Sequence, residues 1–467
     1  MKQWAKKSVL VLGLGETGLS LVRWLTAQGA QVRVADSRDN PPGLEMLHKE
    51  FPKVDVRCGI FRSELAEGME LIAISPGVPL NDQFVARAIA HGMPVIGDIE
   101  LFALSLPEKK CPKIIAITGS NGKTTVTSMV GEMCREAGKE TLVAGNISPA
   151  VLDVLIQRKN KHPDVWVLEL SSFQLETTHS LSADAATVLN ISEDHMDRYN
   201  DMGEYIAAKA RIFRASGVGG VQVLNRDDAD SAAMGLLERK HITFGVNSPA
   251  VSIDDWGIEV DAADTWLVQG KQRVMKAGEL QVEGLHNIAN ALAALALCQS
   301  INLPLPPLVA ALRKFKGLPH RVEAVAEIKD VIYYDDSKGT NVGAVVTALQ
   351  GLVEPRAVLI AGGRDKGGSY EPLADALRAK GRAAVLIGEA ADAIAAAIGA
   401  SIPVSRAGSM DDAVKKSAEL AIAGDAVILS PACSSFDMFR DYKERGDAFV
   451  RAVRDLAARS SGTEATP

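Results

Sequence analysis

Short apolar runs alternate with amphipathic segments along most of the chain. Near the N-terminus, helical patterns over residues 18–28 and 82–90 lie between the runs SVLVLGL, QVRVAD, ELIAISPG and PVIGD. Buried parallel strands form continuous apolar runs, whereas amphipathic helices repeat every 3.6 residues. The alternation predicts an α/β fold that begins with a doubly wound parallel sheet.

Two proline-containing segments, LPEKKCP and FKGLPHR, interrupt this alternation. Such segments are typical of domain boundaries, and a chain of 467 residues is long enough for about three domains. We predict a Rossmann-like domain over residues 1–106, a P-loop mononucleotide-binding domain over 107–317 and a Rossmann-like domain over 318–456. Residues 457–467 are expected to form a disordered tail.

Composition and charge exclude several classes of protein. The net charge is −7 and no long Lys/Arg run is present, so we expect no nucleic-acid partner. No apolar stretch reaches the ~20 residues of a membrane span, and the N-terminal apolar run lacks the cleavage site of a signal peptide. The five cysteines are scattered without CxxC spacing. We therefore expect a cytoplasmic protein that is monomeric and has no membrane partner.

The string AITGSNGKTT lies between a predicted strand at 113–118 and a predicted helix at about 124–135. Glycines at 119 and 122 allow successive backbone N–H groups to point into one concavity, where they bind phosphate. Lys123 can then reach the terminal phosphates of a nucleotide. The string therefore predicts a nucleoside triphosphate site; the alternative is a Gly-rich turn that only caps a helix.

Two further positions qualify this prediction. Ile117 occupies the place of the first glycine in the usual P-loop pattern, so only the shorter GxxGKTT form is present. Thr124 offers a hydroxyl for Mg²⁺, and Glu169 ends the apolar strand VWVLEL, where such sheets often carry a metal-binding acid. The alternative for Glu169 is an acid that faces water at the end of its strand.

A second glycine pattern follows the first predicted strand. Gly13, Gly15 and Gly18 spell GxGxxG, and Asp36 ends the next strand, which is typical of dinucleotide binding. The helix N-terminus recognises only the pyrophosphate, so a UDP group fits as well as NAD. The SPG turn at Ser75 follows another strand and is expected at the same crevice. A ligand-free packing turn is the alternative.

Four polar residues stand in less distinctive contexts. His195 lies in the acidic loop EDHMDRY, and a lone loop histidine is usually no ligand. Lys209 lies in an apolar helical stretch, where a lysine ordinarily extends to the surface. Asn287 and Asn290 open the next helical pattern, where helix capping is the simpler interpretation and contact with adenine or ribose is the alternative.

Taken together, the motifs resemble those of the Mur ligases of peptidoglycan synthesis, in the family's order and from end to end. The strings that carry the resemblance include GLGETGLS, AITGSNGKTT, LELSSFQLETT, LNISEDHMDRY, HNIANALAALAL, GLPHRVE, DDSKGTN and SPACSSFDMF. The resemblance implies an ADP-forming ligase that uses ATP and Mg²⁺. It implies UDP-N-acetylmuramoyl-L-alanine (UDP-MurNAc-L-Ala) and D-glutamate as substrates, joined through an acyl phosphate.

The resemblance also implies a role for each matching residue. The ATP-binding residues would be Gly119, Ser120, Asn121, Gly122, Lys123, Thr124, Thr125, Asn287, Asn290, Arg321 and Asp336. The UDP-muramoyl substrate would contact Gly15, Thr17, Asp36, Ser37, Ser75, Asn146, Ser171 and Gln174. D-glutamate would contact Lys338, Thr340, Lys366, Ser435 and Tyr442.

The implied metal site has two magnesium ions. Its ligands would be Thr124, Glu169, His195 and Lys209, with Lys209 carbamylated so that it binds the second ion. Lys123, His195 and Lys209 would be the catalytic residues. Three alternatives remain at this point: a related ligase for another amino acid or of the folylpolyglutamate synthase type, an NAD-dependent oxidoreductase, and a P-loop regulator that only hydrolyses ATP.

Overall fold

A computed structural model describes residues 4–108, 111–214, 220–247, 250–261 and 264–461. The chain forms two compact units. The first runs to Asn190 and also contains Gly203–Ala277 and Asn290–Arg313; the second contains Ile191–Met202, Gly278–Ala289 and the residues from Lys314 onward. Within the described ranges, no helix has both the length and the apolar content that a membrane span requires.

The first sheet is the predicted doubly wound parallel sheet, with strand order β3-β2-β1-β4-β5. Its strands are β1 Ser8–Leu12, β2 Gln31–Asp36, β3 Asp55–Cys58, β4 Leu71–Ile74 and β5 Val95–Ile96. The helices are α1 Glu16–Ala27, α2 Leu44–Glu50, α3 Gln83–Ala90 and α4 Asp98–Ser105. Helix α3 begins where the sequence predicts because the Asp82 side chain accepts hydrogen bonds from the backbone N–H groups of Phe84 and Val85.

The second sheet belongs to the same unit and has the order β14-β13-β12-β11-β10-β9-β6-β8-β7. Its strands are β6 Lys113–Thr118, β7 Thr141–Gly145, β8 Val165–Glu169, β9 Ala185–Val188, β10 Val221–Asn225, β11 His241–Phe244, β12 Trp256–Asp261, β13 Asp264–Gln269 and β14 Gln272–Lys276. Strands β12 to β14 pair antiparallel, and the others are parallel. Carboxyl ends of the parallel strands therefore share one edge, where open sheets place ligands.

Seven helices lie in the described chain between β6 and the third sheet. They are α5 Lys123–Glu136, α6 Val151–Gln157, α7 Ser172–Glu176, α8 Met202–Arg214, α9 Ala229–Ala233, α10 Leu285–Ser300 and α11 Leu305–Lys314. Helix α5 follows the phosphate loop as predicted. Helix α10 begins two residues before Asn287, so the capping interpretation of Asn287 and Asn290 is wrong: both residues lie within the helix.

The third sheet lies in the second unit and has the order β15-β16-β20-β17-β18-β19. Its strands are β15 Glu323–Ile328, β16 Val331–Asp335, β17 Ala357–Gly362, β18 Gly381–Ile387, β19 Val404–Arg406 and β20 Ala426–Leu429; only β15 is antiparallel to its neighbour. The helices are α12 Val342–Gly351, α13 Glu371–Lys380, α14 Ala391–Ile398, α15 Met410–Leu420 and α16 Tyr442–Ser461. Leu359 packs in one core cluster and Val358 in another, so this sheet is buried on both faces, as the Rossmann-like prediction requires.

The predicted disordered tail is wrong for its first five residues. Helix α16 continues to Ser461, because Leu456 and Ala457 still pack against the core of the third sheet. The Ser460 hydroxyl also donates to the Leu456 carbonyl at 2.9 Å. The remainder of the predicted tail, 462–467, lies outside the described residues.

Candidate active site

The loop between β6 and α5 contains two glycines, and a side chain at either position would strain the backbone. Gly122 has a φ of +80°, and a Cβ there would lie 2.7 Å from Oδ1 of Asn290. Gly119 has a φ of +152°, and a Cβ there would lie 3.0 Å from Cβ of Leu189. Both positions therefore favour glycine. Helix N-termini are common binding sites for anions, because the first N–H groups of a helix lack partners within it.

Asn190, which sequence reasoning missed, holds this loop in place. Its backbone carbonyl accepts from the Ser120 N–H at 2.9 Å, and its side-chain oxygen accepts from the Asn121 N–H at 2.8 Å. Its Nδ2 donates back to the Asn121 carbonyl at 3.1 Å. The sequence feature that could have indicated this role is the position of Asn190 just after strand β9.

Lys123 and Lys209 both reach the same backbone oxygen of the loop. Nζ of Lys123 donates to the carbonyls of Gly119 and Ser120 at 2.9 Å each, and Nζ of Lys209 donates to the Gly119 carbonyl at 2.9 Å. Lys209 is 2% exposed and lies 4.6 Å from the ring centroid of Tyr205. The interpretation of Lys209 as a surface lysine is therefore wrong, and two ammonium groups meet at the phosphate loop.

Glu169 ends β8, the strand beside β6, and pairs there with Ile117. It is 2% exposed, so the water-facing alternative is wrong. Its Oε1 accepts from Nδ2 of Asn146 at 2.9 Å, whereas Oε2 is buried with no hydrogen-bond partner among the described residues. A buried carboxylate oxygen is costly unless it is paired or binds a cation. This oxygen fits the predicted role of Glu169 as a magnesium ligand.

The glycine turn of the first sheet is tightly built around Asp36. A Cβ on Gly18 would lie 1.8 Å from the Gly13 carbonyl oxygen, so α1 approaches the turn only because residue 18 is glycine. The Asp36 carboxylate accepts from the Leu14 N–H at 2.6 Å and from three N–H groups of Arg38 at 2.7–2.9 Å. Burial raises the pKa of Asp36, but hydrogen bonds from Arg38 and Leu14 outweigh burial and hold the pKa below its ordinary value.

The other residues predicted to contact UDP surround this turn. A Cβ on Gly13 would lie 2.8 Å from Cβ of Ser75, so the SPG turn and the glycine turn are neighbours as expected. A Cβ on Gly15 would have no atom of the described residues within 4 Å. Thr17 is half-buried in α1, and Ser37 is exposed. The turn therefore keeps open space next to Gly15.

Ser171 and Gln174 form a capping box at the start of α7, just after Glu169. The Ser171 hydroxyl accepts from the Gln174 N–H at 3.2 Å, and Oε1 of Gln174 accepts from the Ser171 N–H at 3.1 Å. Nε2 of Gln174 donates to Oδ2 of Asp98 at 3.0 Å. Three of the residues predicted to contact the UDP-muramoyl substrate thus lie close to Glu169 in the fold or in the chain, namely Asn146, Ser171 and Gln174.

In the second unit, the segment that carries His195 joins the loops of the third sheet. Asp194 accepts from Nζ of Lys366 at 2.9 Å and from Nδ2 of Asn341 at 3.2 Å. Nε2 of His195 lies 3.6 Å from Oδ2 of Asp194, and Nζ of Lys366 lies 3.4 Å from Oγ1 of Thr340. A cavity of about 190 Å³ is lined in part by Asp194, Asn341 and Lys366. Sequence reasoning did not identify Asp194, whose ion pair joins segments far apart in the chain.

The remaining predicted D-glutamate contacts lie near a buried arginine. Arg445 donates to the Ser337 hydroxyl at 3.1 Å, to the Ser337 carbonyl at 2.9 Å and to the Cys433 carbonyl at 3.2 Å. It thereby ties the loop that carries Lys338 to the loop that carries Ser435. Nζ of Lys338 lies 3.9 Å from the ring centroid of Tyr442. Arg445 was also missed, and burial lowers its pKa to about 10.

Three predicted ATP contacts also lie in the second unit. Asn287 and Arg321 line one cavity of about 500 Å³. Asp336 is buried and accepts from the Ser430 hydroxyl at 2.6 Å. Burial raises the pKa of Asp336 to about 7. In the first unit, Asn290 is the predicted ATP contact that lies against the phosphate loop.

Comparison with known proteins identifies the family of the chain. Three family models match: "Mur ligase MurD-like, N-terminal domain" at residues 7–97, "Mur ligase middle domain" at 117–298 and "Mur ligase, glutamate ligase domain" at 320–433. Relatives from Nitrosospira multiformis and Nitrosomonas europaea, both named UDP-N-acetylmuramoylalanine--D-glutamate ligase, are each 54% identical to this chain. The alignments cover 98% of both chains in the first case and 96% of both in the second.

A solved structure supports the three-domain architecture. The UDP-N-acetylmuramate-alanine ligase MurC of Thermotoga maritima aligns with a TM-score of 0.59 at 19% identity, covering 96% of this chain and 99% of that one. At this identity the likeness shows the fold alone. The relatives at 54% identity show more: the chain belongs to the Mur ligase family.

Proposed function

We propose that this protein joins D-glutamate to UDP-MurNAc-L-Ala, with hydrolysis of ATP to ADP and phosphate. The observation that carries the proposal is the arrangement at the phosphate loop. Two lysine ammonium groups share the Gly119 carbonyl, and the buried Glu169 carboxylate ends the neighbouring strand. The names of relatives that are 54% identical support this choice of amino acid over another member of the family.

The chemistry explains why a phosphate site is needed. A carboxylate is a poor electrophile, so the γ-phosphoryl group of ATP first transfers to the carboxylate of the L-alanyl end and forms an acyl phosphate. Lys123 would leave its loop carbonyls and contact the transferring phosphate, where negative charge increases on the oxygens. The neutral amine of D-glutamate then attacks the acyl carbon, the bond between that carbon and the phosphate oxygen breaks, and the amide forms as phosphate and one proton are released.

Magnesium would be held in the first unit by Thr124 and Glu169, because Glu169 offers a buried oxygen with no other partner in the described chain. His195 would be a further ligand. When bound, the ions would neutralise charge on the phosphate oxygens. The residues themselves bind and orient: Asn146 holds Oε1 of Glu169 and so leaves the other oxygen for the metal.

Lys209 would be carbamylated and would hold a second Mg²⁺. Lys209 is buried, and its Nζ donates to the same carbonyl as Nζ of Lys123, so two positive charges lie close together there. A neutral Lys209 amine adds to the carbon of CO₂, an N–C bond forms, and one proton leaves to solvent. The product is an anion in place of a cation, so the repulsion is removed and a metal ligand is created.

In the second unit, we assign D-glutamate to Lys338, Thr340, Lys366, Ser435 and Tyr442. Lys366 would supply a positive charge for a substrate carboxylate. In this structure its ammonium group forms an ion pair with Asp194. Asn287, Arg321 and Asp336 are assigned to ATP. We further propose a cytoplasmic monomer that acts on small molecules only.

The decisive experiment is a screen of amine donors with UDP-MurNAc-L-Ala, ATP and Mg²⁺. D-glutamate, but not L-glutamate, L-lysine, meso-diaminopimelate or L-alanine, is expected to stimulate phosphate release. Release with another donor would indicate a different ligase, and donor-independent release would indicate an ATP-hydrolysing regulator. Lys123→Ala is expected to be inactive, whereas Lys139→Ala, an exposed lysine beyond α5, is a matched control that stays active.

The oxidoreductase alternative has its own test. The match of residues 7–97 to a MurD-like N-terminal domain and the names of relatives that are 54% identical favour a UDP-linked substrate over NAD at the glycine turn. UDP-MurNAc-L-Ala is therefore expected to raise the melting temperature, and NAD is not. Stabilisation by NAD alone would contradict the proposed function.

A further inference from the structure

Helix α4 begins with two buried carboxylates, and these differ in the hydrogen bonds that they accept. Glu100 is 4% exposed and accepts from the His179 N–H at 2.6 Å, the Ser180 N–H at 2.8 Å and the Ser180 hydroxyl at 2.6 Å. Asp98 is 2% exposed, and its Oδ2 accepts from Nε2 of Gln174 at 3.0 Å. Its Oδ1 is buried with no hydrogen-bond partner in the described part of the chain.

Stability alone does not account for Asp98. A charged oxygen that is buried without a partner costs free energy, and the neutral donors to this carboxylate offset only part of that cost. Burial accordingly raises the pKa of Asp98 to about 6. Glu100, with three donors on the same helix, is the group that fastens α4 to the segment after α7. Outside the first turn of its own helix, the Asp98 carboxylate bonds to Gln174.

The side chain of Gln174 is oriented from both ends. The N–H and hydroxyl of Ser171 both lie near its Oε1, at 3.1 and 3.2 Å, so the oxygen faces Ser171. The amino group consequently faces the Asp98 carboxylate, which can only accept. One of its two hydrogens is used by Asp98. The other remains for a ligand, since the described residues provide Gln174 with no further acceptor at Nε2.

We propose that Asp98 is a positioning residue, which fixes the carboxamide of Gln174 so that its second N–H is directed at the sugar or peptide part of the UDP-muramoyl substrate. This inference rests on the proposed function, because Gln174 is assigned there to that substrate. Without an acceptor at residue 98, the carboxamide loses the bond that holds its amino end. Substrate binding should then weaken although the fold remains intact.

The test compares Asp98→Ala, Asp98→Asn and the control Glu100→Gln in the full-length protein. We expect Asp98→Ala to raise the Kd and KM for UDP-MurNAc-L-Ala about tenfold, with kcat within about twofold, and to leave the melting temperature unchanged or higher. Asp98→Asn keeps an acceptor oxygen and should bind within about threefold of wild type. Glu100→Gln should lower the melting temperature and leave the Kd unchanged.

A double-mutant comparison shows whether Asp98 acts through Gln174. Gln174→Ala and Asp98→Ala/Gln174→Ala should have the same Kd, because the second substitution removes nothing more. Additive losses would overturn the proposal. So would an Asp98→Ala protein that melts at lower temperature and binds substrate normally. If Asp98→Ala does not fold, Asp98→Leu replaces it; if neither folds, the role of Asp98 is structural and the proposal is wrong.

Binding measured by calorimetry without ATP or D-glutamate separates this inference from the proposed function. If wild type binds UDP-MurNAc-L-Ala but D-glutamate does not stimulate phosphate release, the proposed reaction is wrong and the Kd values still decide the role of Asp98. If wild type does not bind the compound, both the substrate assignment and the positioning role are wrong.

Discussion

Glu169→Gln is expected to stabilise the metal-free protein and to remove its stabilisation by magnesium. One oxygen of the buried Glu169 carboxylate has a donor, Asn146, and the other has none in the described chain. Glutamine keeps an oxygen for Asn146 and removes the charge. An unsatisfied buried polar group costs about 1–3 kcal/mol, and more when it is charged, so exchanging the charged oxygen for a neutral amino group recovers only the difference, on the order of 1–2 kcal/mol. At about 1 °C per kcal/mol for a chain of 467 residues, the variant should melt about 1–2 °C higher in EDTA.

When magnesium is added, wild type is expected to become more stable than Glu169→Gln. A ligand at 100 times its Kd adds about 2.7 kcal/mol to the stability of a protein that binds it only when folded. Wild type should therefore gain several degrees when Mg²⁺ and a non-hydrolysable ATP analogue are added, and Glu169→Gln should gain little. Phosphate release by the variant should fall at least a hundredfold, since the metal site loses an anionic ligand.

Scanning calorimetry of wild type, Glu169→Gln and the control Glu132→Gln, with and without Mg²⁺, measures both effects. Glu132 is exposed on α5, so its substitution should change neither the melting temperature nor the response to Mg²⁺. A Glu169→Gln protein that melts below wild type in EDTA would refute the argument from the unpaired oxygen. An undiminished response to Mg²⁺ would refute Glu169 as a ligand.

Three further substitutions test other parts of the site. Lys209→Ala should lose most activity and regain part of it with bicarbonate when a short carboxylate is supplied; a fully active variant in the phosphate-release assay would refute the carbamate. Gly122→Ala, at a φ of +80° and with Oδ1 of Asn290 only 2.7 Å from the new Cβ, should raise the KM for ATP at least tenfold, and unchanged steady-state kinetics would show that the loop tolerates a side chain. The pKa of Asp336 is raised to about 7, so the folded state holds its proton longer than the unfolded state and stability falls as pH rises from about 4 to 7. Asp336→Asn should therefore raise the melting temperature more at pH 8 than at pH 5, and an equal gain at both would contradict the raised pKa.

Local sequence patterns were sufficient for the strands and helices that flank the nucleotide motifs. The predicted strand at 113–118 matches β6, and the predicted helix at 82–90 differs from α3 only by the capping residue Asp82. These elements follow from periodicity and from side chains that bond to their own backbone neighbours. Helix α16 extends past the predicted boundary because its last turns pack on a distant sheet, which no local pattern records.

The sequence by itself determined the α/β architecture, the phosphate loop and the position of Glu169 at a strand end, since each depends on residues close together in the chain. The direction of the Lys209 side chain, the bracing by Asn190 and the ion pair between Asp194 and Lys366 were decided only by the tertiary structure. Each of these joins residues that are between 69 and 172 positions apart. A lysine in an apolar helix has the same local sequence whether it extends to water or to a buried carbonyl, and only the packing of the whole unit selects between the two.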